Sequence, residues 1–568
     1  MHIDVVPNRN SKPAYLLRES YREKGKVKKR TLANLSSLPI EQIERIRQIL
    51  RGEQRAPVDS LFKSVTSAHH GHVQAVLSAM KRLGVFALLS SRPCRERDLV
   101  IGMVAARILA PHSKLATTRW WQFTTLPEIL GVSDATEDDL YEAMDWLLLR
   151  QERIEKKLAA RHLRENGLVL YDLSSSYFEG VTCPLAALGH SRDGIKGKLQ
   201  VNYGLLAAPG GCPVSVSVYE GNTGDPTTLL EQVAKVKDAF GIKNLVLVGD
   251  RGMITQKQIN SLKDIEGVDW ISALKTGGIR ELLHCGALQM GLFDERNLFE
   301  LTHPDFPGER LIACRNPELA RMRAAKRQDL LLATTQELDK VKRMAEKGRI
   351  AGRDKIGVRV GRVINKYKMA KHLTLVIDEH RFDYEIRQGQ VAAEAALDGI
   401  YVIRTSLPKE RISAPDAVRS YKSLSDVERA FRCLKSIDLL VRPIRHRLED
   451  RVRAHIFLCM LSYYVEWHML EAWRPLLFAD EDRKAKAKRD PVAPAKRSDE
   501  ALRKVATHTL EDGTPAHSFR TLLEEMACIV RNICHRVGAD PSEPTFLMTT
   551  TPNPRQARAL ALLDAIRV

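Results

Sequence analysis

Three side chains of unlike chemistry recur at seven-residue steps along one segment. They are Tyr421, Glu428 and Lys435, and the apolar run 437–441 follows them. Because an α-helix turns by about 100° per residue, seven residues return the chain to within roughly 20° of its starting direction. The spacing therefore predicts one helical face that carries a hydroxyl, a carboxylate and an ammonium group. Such a face suits a site that holds a metal ion and a phosphate together.

Two aspartates upstream complete a possible metal site. Asp172 follows the apolar run 168–171, and Asp250 follows the run 245–249. In open α/β sheets, ligands bind beyond the carboxyl ends of the strands. Two carboxylates brought together there repel each other unless a cation neutralises them, and hard oxygen ligands favour Mg²⁺ or Mn²⁺. We predict that Asp172, Asp250 and Glu428 are catalytic residues and metal ligands.

Each carboxylate also has a simpler interpretation. An aspartate after a strand commonly bonds the backbone of a turn. Residues 425–428, Ser-Asp-Val-Glu, fit a capping box, in which the glutamate closes a helix N-terminus. In that case Tyr421 and Lys435 would be incidental. The capping box leaves the seven-residue spacing unexplained, which favours the metal site.

Basic residues lie in two runs. Arginines occupy positions 442, 445, 447, 451 and 453. They could form a solvated face or a phosphate-binding surface, and their place after Glu428 favours the phosphate-binding surface. In the other run, 21–30, the lysines at 24, 26 and 28 alternate and would share one face of a strand. We assign phosphate or DNA contacts to Tyr421, Arg432, Lys435, Arg442, Arg445, Arg447, Lys24, Lys26 and Lys28.

The composition points to a polyanionic partner. The 568 residues include 89 basic and 70 acidic ones, a net charge of +19, which favours nucleic acid. The nine cysteines form no C-x-x-C pair, so we expect reduced thiols and neither a zinc site nor a redox dithiol. No apolar run reaches the roughly 18 residues of a membrane span, and the N-terminus is unlike a secretory signal. We therefore expect a cytoplasmic protein without a membrane partner.

Several other polar or aromatic residues receive ordinary structural interpretations. His446 and His455 are predicted to pack or to form hydrogen bonds, and Trp270 is predicted to lie in the core. Asp193 is predicted to be a turn residue in a loop whose basic neighbours could reach DNA. Asp225 is predicted to cap a helix that begins at residue 226.

The order of predicted elements defines the fold class. Apolar strands at 168–172, 199–207, 214–219, 245–250 and 269–274, with helices at 226–240 and 255–262, give the order β-β-β-α-β-α-β. This order predicts an α/β mixed sheet covered by helices, and it is also the order of the ribonuclease H-like fold. Further helices are predicted at 451–469 and 519–537.

We divide the chain into six parts. The flanks at both ends are mainly helical. The parts are a basic hairpin and helix module (1–60), a helical region predicted to bind DNA (61–165), the first part of the catalytic core (166–275), an α+β insertion (276–395), the second part of the core (396–470) and a linker with a C-terminal helical region (471–568).

These features together resemble the DDE transposases of bacterial insertion sequences. The segment from Tyr421 to Lys435 is similar to the signature Tyr-x₂-Arg-x₃-Glu-x₆-Lys. Leu424 stands where that signature has arginine, and Lys422 or Arg432 would compensate. Asp172 and Asp250 match the two aspartates, and the long interval before Glu428 fits members with an insertion there.

The resemblance implies a ribonuclease H-like core and two Mg²⁺ or Mn²⁺ ions per active site. Asp172 would bridge the ions, while Asp250 and Glu428 would each complete one site. It also implies cleavage at terminal inverted repeats, joining to target DNA, a homodimer or higher multimer on DNA, and association with the nucleoid. Two alternatives stay open: a catalytically silent DNA-binding regulator, and a ribonuclease H-like nuclease that does not join strands.

Overall fold

The computed structural model describes residues 1–9, 11–52, 61–289, 291, 293–294, 297–480, 489–493, 497–537 and 544–567. Parts of the predicted 1–60 module and of the 471–568 region lie outside the described residues. The chain divides into two units, one formed by residues 1–68 with 530–550 and the other by residues 69–529 with 551–568.

The element bounds are as follows. The strands are β1 (His2–Val6), β2 (Ala14–Glu23), β3 (Lys26–Asn34), β4 (Phe62–His69), β5 (Gly167–Tyr177), β6 (Gln200–Ala207), β7 (Pro213–Glu220), β8 (Leu245–Val248), β9 (Val268–Ala273), β10 (Leu298–Leu301), β11 (Arg310–Arg315), β12 (Leu373–Ile377), β13 (Phe382–Ile386), β14 (Ile400–Thr405), β15 (Val530–Arg536) and β16 (Phe546–Thr549). The α-helices are α1 (Ile40–Leu50), α2 (Gly71–Arg82), α3 (Val85–Leu89), α4 (Arg95–Leu109), α5 (Lys114–Trp121), α6 (Leu126–Leu130), α7 (Glu137–Leu148), α8 (Gln151–His162), α9 (Asp225–Ala234), α10 (Gln256–Lys263), α11 (Thr276–His284), α12 (Pro317–Glu346), α13 (Arg353–Tyr367), α14 (Gln388–Ala395), α15 (Ala414–Lys422), α16 (Leu424–Arg432), α17 (Glu449–Trp473), α18 (Asp499–Thr507), α19 (Phe519–Ala527) and α20 (Pro554–Asp564).

The smaller unit contains two three-stranded sheets, β1-β2-β3 and β16-β15-β4, in which the pairs β1–β2, β2–β3 and β15–β16 are antiparallel. The predicted hairpin forms, with Lys24 and Gly25 at φ 49° and 73° in the turn between β2 and β3. Lys26 and Lys28 alternate within β3, but Lys24 belongs to the turn, so the prediction that all three lysines lie on one strand is wrong. The predicted helix 519–537 is also wrong in its second half, because Val530–Arg536 form β15.

One eight-stranded mixed sheet forms the centre of the larger unit. Its strand order is β10-β11-β14-β9-β8-β5-β6-β7. The pairs β5–β8 and β8–β9 are parallel, and the remaining pairs are antiparallel. The predicted order β-β-β-α-β-α-β is confirmed for the segment from β5 to β9. Strand β5 is longer than predicted, so Asp172 lies within it rather than at its end.

The segment 276–395 contributes to two cores. Strands β10 and β11 extend the main sheet, where β11 pairs with β14, although the sequence predicted a separate insertion. The buried ion pair between Arg404 and Glu309, 2.6 Å long, fixes this junction. Helices α12 and α13 and the hairpin β12–β13 pack around their own apolar cluster, which includes Leu338, Ile356 and Phe382.

Helices α8 and α17 pack against β7, and α2, α4 and α7 pack against α17, which is buried along most of its length. A helix that is apolar on all sides is expected at such a position. The predicted helical region begins later than expected, because Phe62–His69 form a strand. Among the described residues, no single helix has the length and apolar composition to cross a membrane. Helices α4 and α5 meet that criterion only as a pair, across a 90° bend.

Candidate active site

The parallel ladder between β5 and β8 places two aspartates side by side. Leu170 pairs with Val248, and Asp172 and Asp250 each lie two residues further along the chain. Strand β5 then continues beside β6, where Asp172 pairs with Leu205. Both carboxylates therefore reach the same edge of the parallel part of the sheet, as the sequence predicted.

Backbone N–H groups hold these two aspartates in place. Leu173 N donates to Asp172 Oδ1 over 2.8 Å. Gly252 N and Met253 N donate to Asp250 Oδ1 over 2.9 and 2.7 Å. A Cβ atom at Gly252 would lie 3.3 Å from Asp250 Oδ1, so a glycine suits this close approach. The turn interpretation describes part of the role of Asp250, and its other carboxylate oxygen stays available for a ligand.

Glu428 reaches the site from a broken helical segment. Tyr421 lies in α15, Glu428 in α16, and Lys435 in a π-helical turn, Cys433–Ile437. The prediction of one continuous helical face is therefore wrong. The capping-box interpretation is also wrong, because α16 begins at Leu424, with Ser423 as its N-cap, and Ser425 lies inside the helix. Single π-helical turns are frequent at functional sites.

All three predicted carboxylates line one cavity of about 420 Å³. Four cations share its wall: Arg192, Arg432, Lys435 and Arg442. The full lining consists of Asp172, Leu173, Ser174, Arg192, Asp193, Asp225, Asp250, Glu428, Phe431, Arg432, Lys435, Ser436 and Arg442. Carboxylates and cations in one open cavity can bind a metal ion and a phosphate group together.

Asp193 organises two of these cations. Its Oδ1 atom lies 3.0 Å from Lys435 Nζ and 2.5 Å from Arg442 Nη1, while Tyr177 N donates to its Oδ2 atom over 2.9 Å. The Asp193 side chain is only 1% exposed. Burial lowers the pKa of Lys435, and the Asp193 carboxylate opposes that shift. Asp193 lies in a turn, as the sequence predicted, and its carboxylate is also part of the site, which the sequence did not predict.

A second acid–base pair was also missed. Arg192 forms an ion pair with Asp225, and both line the cavity. Asp225 is the first residue of α9, whose N-cap is Gly224, so its predicted role as N-cap is wrong. Residues 178–199 join two antiparallel strands, and such hairpin loops usually have two to about five residues. The length of this loop was the available signal.

Burial and neighbouring negative charges raise the pKa values of two groups at the site. Burial, with a smaller contribution from Asp250, raises the pKa of Asp172 to about 7. Burial and the same Asp250 charge raise the pKa of Tyr421. A bound cation would relieve the repulsion between these carboxylates.

The donor set fits a hard divalent cation. Within the described part of the chain, Asp172, Asp250 and Glu428 form no ion pair, and each keeps at least one carboxylate oxygen that accepts no hydrogen bond. Carboxylate oxygens are preferred ligands of Mg²⁺ and Mn²⁺. The three side chains are not among the groups whose ligand atoms all lie within 4.8 Å of one another. A cation shared by all three therefore requires one side chain to adjust, and Glu428 is exposed.

The other residues predicted to contact phosphate or DNA do not line the catalytic cavity. Arg445 is exposed and pairs with Glu179, and Arg447 is exposed. Lys24, Lys26 and Lys28 are exposed in the smaller unit, where Lys28 pairs with Glu23. Trp270 is buried in the core, and His455 bonds Val441 O over 3.2 Å, as expected. His446 is packed against His455, also as expected.

A second cavity, of about 730 Å³, is lined by Tyr421 and by Arg251, the neighbour of Asp250. We call it the cationic cavity. Its basic lining residues are Arg251, Arg280, Arg323, Lys326, Arg327, Lys368, Lys371 and Lys422. Its two acidic residues are already paired, Asp398 with Arg327 and Glu394 with Lys371. The cavity therefore carries a positive surplus.

Comparison with protein families assigns the class of the chain. Residues 3–59 match the N-terminal domain of the IS1634 family of transposases, and residues 189–465 match the transposase DDE domain. The second match contains Asp250 and Glu428, and Asp172 precedes it. The protein belongs to the DDE-type transposases of insertion sequences.

The wider comparisons add little. No curated protein matches the chain significantly. Among solved structures, a piggyBac transposase in a synaptic complex with hairpin DNA is similar at 8% identity, with a TM-score of 0.36. That alignment covers 77% of this chain and 80% of the other. A similarity this weak carries no conclusion about fold or mechanism.

Proposed function

We propose that this transposase cleaves DNA at the terminal inverted repeats of an insertion sequence and joins the freed 3′ ends to target DNA. The observation that carries the proposal is the convergence of Asp172, Asp250 and Glu428 in one cavity with four cations. The parallel strands β5, β8 and β9, flanked by antiparallel strands, support a ribonuclease H-like core.

Asp172, Asp250 and Glu428 would hold the two Mg²⁺ or Mn²⁺ ions of the active site. Such ions activate the attacking oxygen and stabilise the leaving oxygen of an in-line displacement. The side chains of the protein fix the substrate. Lys435 and Arg442, held by Asp193, present positive charge to the phosphate, and Arg432 adds an exposed guanidinium.

DNA would extend from the active site into the cationic cavity. Tyr421 and Arg251 line that cavity, and Arg251 is adjacent to Asp250 in the chain. Within the described residues, Arg251, Arg280, Arg323, Lys326 and Lys368 have no acidic partner. Unpaired cations at such a position suit the phosphates of a strand that enters or leaves the catalytic cavity.

We assign the remaining parts of the chain by the same reasoning. The basic residues Lys24, Lys26 and Lys28 and the helical region 61–165 would bind the ends of the element. The segments 166–275 and 396–470 form the catalytic core, with the insertion 276–395 between them. We place the activity in the bacterial cytoplasm, on nucleoid DNA, with a homodimer or higher multimer that pairs the two ends.

The test is a strand-cleavage assay with purified full-length protein and duplexes that carry the inverted repeats flanking its coding sequence. In Mg²⁺, the wild-type protein should produce 3′-hydroxyl ends and joined products. Asp250→Asn should bind the ends and fail to cleave them. Asp264→Asn is the matched control, because Asp264 is exposed at the end of α10 and does not line the cavity.

The alternatives predict other results. A silent regulator would bind the ends without cleavage by the wild-type protein. A nuclease would cleave them and give no joined products. Either result would contradict the proposal.

A further inference from the structure

A group of nitrogen and sulfur ligands lies apart from the active-site residues. His162 ends α8, Cys212 lies in the turn between β6 and β7, and His468 lies in α17. One ligand atom from each lies within 4.8 Å of the other two. The fold brings these three residues together from distant positions, so the absence of a C-x-x-C motif could not exclude such a site.

The distances approach those of a tetrahedral zinc site. Cys212 Sγ lies 4.0 Å from His468 Nε2. Zinc–sulfur and zinc–nitrogen bonds of about 2.3 and 2.05 Å at a tetrahedral angle separate the two ligand atoms by about 3.5 Å. The ring centroids of His162 and His468 are 5.5 Å apart. Small rotations of the side chains would therefore close the group around one ion.

The surroundings favour a thiophilic cation. Cys212 is 2% exposed and His468 is 8% exposed, and the rings of Tyr464 and Trp467 pack against His468 with centroids 4.8 Å away. No carboxylate belongs to the group. Imidazole and thiolate ligands without oxygen donors favour Zn²⁺ over Mg²⁺.

The protonation of the ligands is compatible with binding. Burial lowers the pKa of His162 to about 4 and that of His468 to about 3, so both rings are neutral near pH 7 and can donate a lone pair. Burial raises the pKa of the Cys212 thiol, so binding would release its proton to solvent. The positive charge of the nearby Arg161 disfavours a bound cation, so binding would need the negative charge of the Cys212 thiolate.

We propose that His162, Cys212 and His468 supply three of the four ligands of one Zn²⁺ ion, whose fourth position would be taken by water. The site would connect α8, the β6–β7 turn and α17. His162 lies shortly before β5, the strand that contains Asp172, so the ion would stabilise the base of the catalytic sheet. This inference does not depend on the proposed reaction, because its predicted effects are metal content and thermal stability.

The test uses full-length protein in an Asp250→Asn background, which weakens the carboxylate site as a competitor. Metal is removed with a chelator, and Co²⁺ is then added. We expect one equivalent to give visible ligand-field bands and a near-ultraviolet thiolate-to-cobalt band, both removed by one equivalent of Zn²⁺. Zn²⁺ should also raise the thermal midpoint.

Two variants complete the design. Cys212→Ser should lose the thiolate-to-cobalt band and the thermal shift. Cys285→Ser should keep both, although its thiol lies 3.6 Å from His303 Nε2, because that cysteine is exposed and outside the group. Absence of the band from the parent protein would overturn the proposal, even if Cys212→Ser does not fold. An unchanged band in Cys212→Ser would also overturn it.

Discussion

Asp172 and Asp250 lie two residues beyond the same pair of one parallel ladder, in which Leu170 pairs with Val248. Neighbouring strands are about 4.8 Å apart, so the ladder itself brings the two carboxylates together. Glu428 comes from a helix outside the sheet and reaches the same cavity. The sheet thus fixes two carboxylates of the proposed metal site, and the position of the third depends on how α16 packs.

Asp193 should be a positioning residue. In Asp193→Asn the backbone bond from Tyr177 can persist, but Lys435 and Arg442 lose their shared charge partner. Breaking a buried ion pair costs about 3 kcal/mol, so we expect lower stability and slower cleavage with end binding retained. Unfolding and cleavage rates measure the two effects.

The double variant Asp193→Asn/Lys435→Met separates these effects. Removing the uncompensated cation should recover part of the stability without recovering cleavage. Glu179→Gln is the control, because it removes an exposed ion pair with Arg445, which is worth about 1 kcal/mol or less. Wild-type cleavage by Asp193→Asn would show that the cations need no positioning by Asp193.

Leu424 should not tolerate the arginine of the related signature. Its side chain is 8% exposed and packs in the main core. An unpaired charge buried there should destabilise the protein by about 2 kcal/mol or more, so Leu424→Arg should lower the thermal midpoint. Arg432→Ala, at the exposed cation of the cavity, should instead slow cleavage with the midpoint unchanged. A more active and equally stable Leu424→Arg protein would contradict this.

The cationic cavity should contribute to the salt dependence of DNA binding. Arg323→Ala/Lys326→Ala removes two unpaired cations from its wall. Each lost phosphate contact reduces the slope of log K against log salt by about 0.9. Binding titrations over a range of salt concentrations measure this slope. Lys340→Ala, on the same helix but paired with Glu337 and outside the cavity, should leave the slope unchanged. Equal slopes for both variants would exclude the cavity from the DNA path.

Asp172 should make the stability of the metal-free protein depend on pH. Its folded-state pKa of about 7 lies above the ordinary 3.8. The folded protein therefore binds a proton between these values, and the free energy of unfolding falls as the pH rises through that window. Asp172→Asn should stabilise the protein more at about pH 8 than at about pH 5, by about 2 kcal/mol.

Thermal unfolding in a chelating buffer at both pH values measures the difference. Asp264→Asn, at an exposed position, should change the thermal midpoint by the same amount at the two pH values. An equal effect of Asp172→Asn at both pH values would mean that Asp172 titrates normally.

The sequence predicted the parts of the fold that follow from local pattern. Buried strands such as β8 are continuous apolar runs. Gly249 and Asp250 come directly after β8, so the position of Asp250 could be predicted. Asp193 lies in the predicted turn, but its role in the site was missed because its partner Lys435 lies 242 residues away. Neither proline nor glycine marks the break at Ser423 or the π-helical turn after Arg432, so the segment looked like one helix.

The most direct test of the central claim is a crystal structure of the DNA-bound protein with Mn²⁺, with the metal located by anomalous scattering. The account predicts Mn²⁺ bound by Asp172, Asp250 and Glu428, with metal–oxygen distances of about 2.0 to 2.6 Å. If Glu428 instead lies more than roughly 10 Å from any ion bound by the aspartates, too far to be a ligand, the three carboxylates do not form one catalytic site.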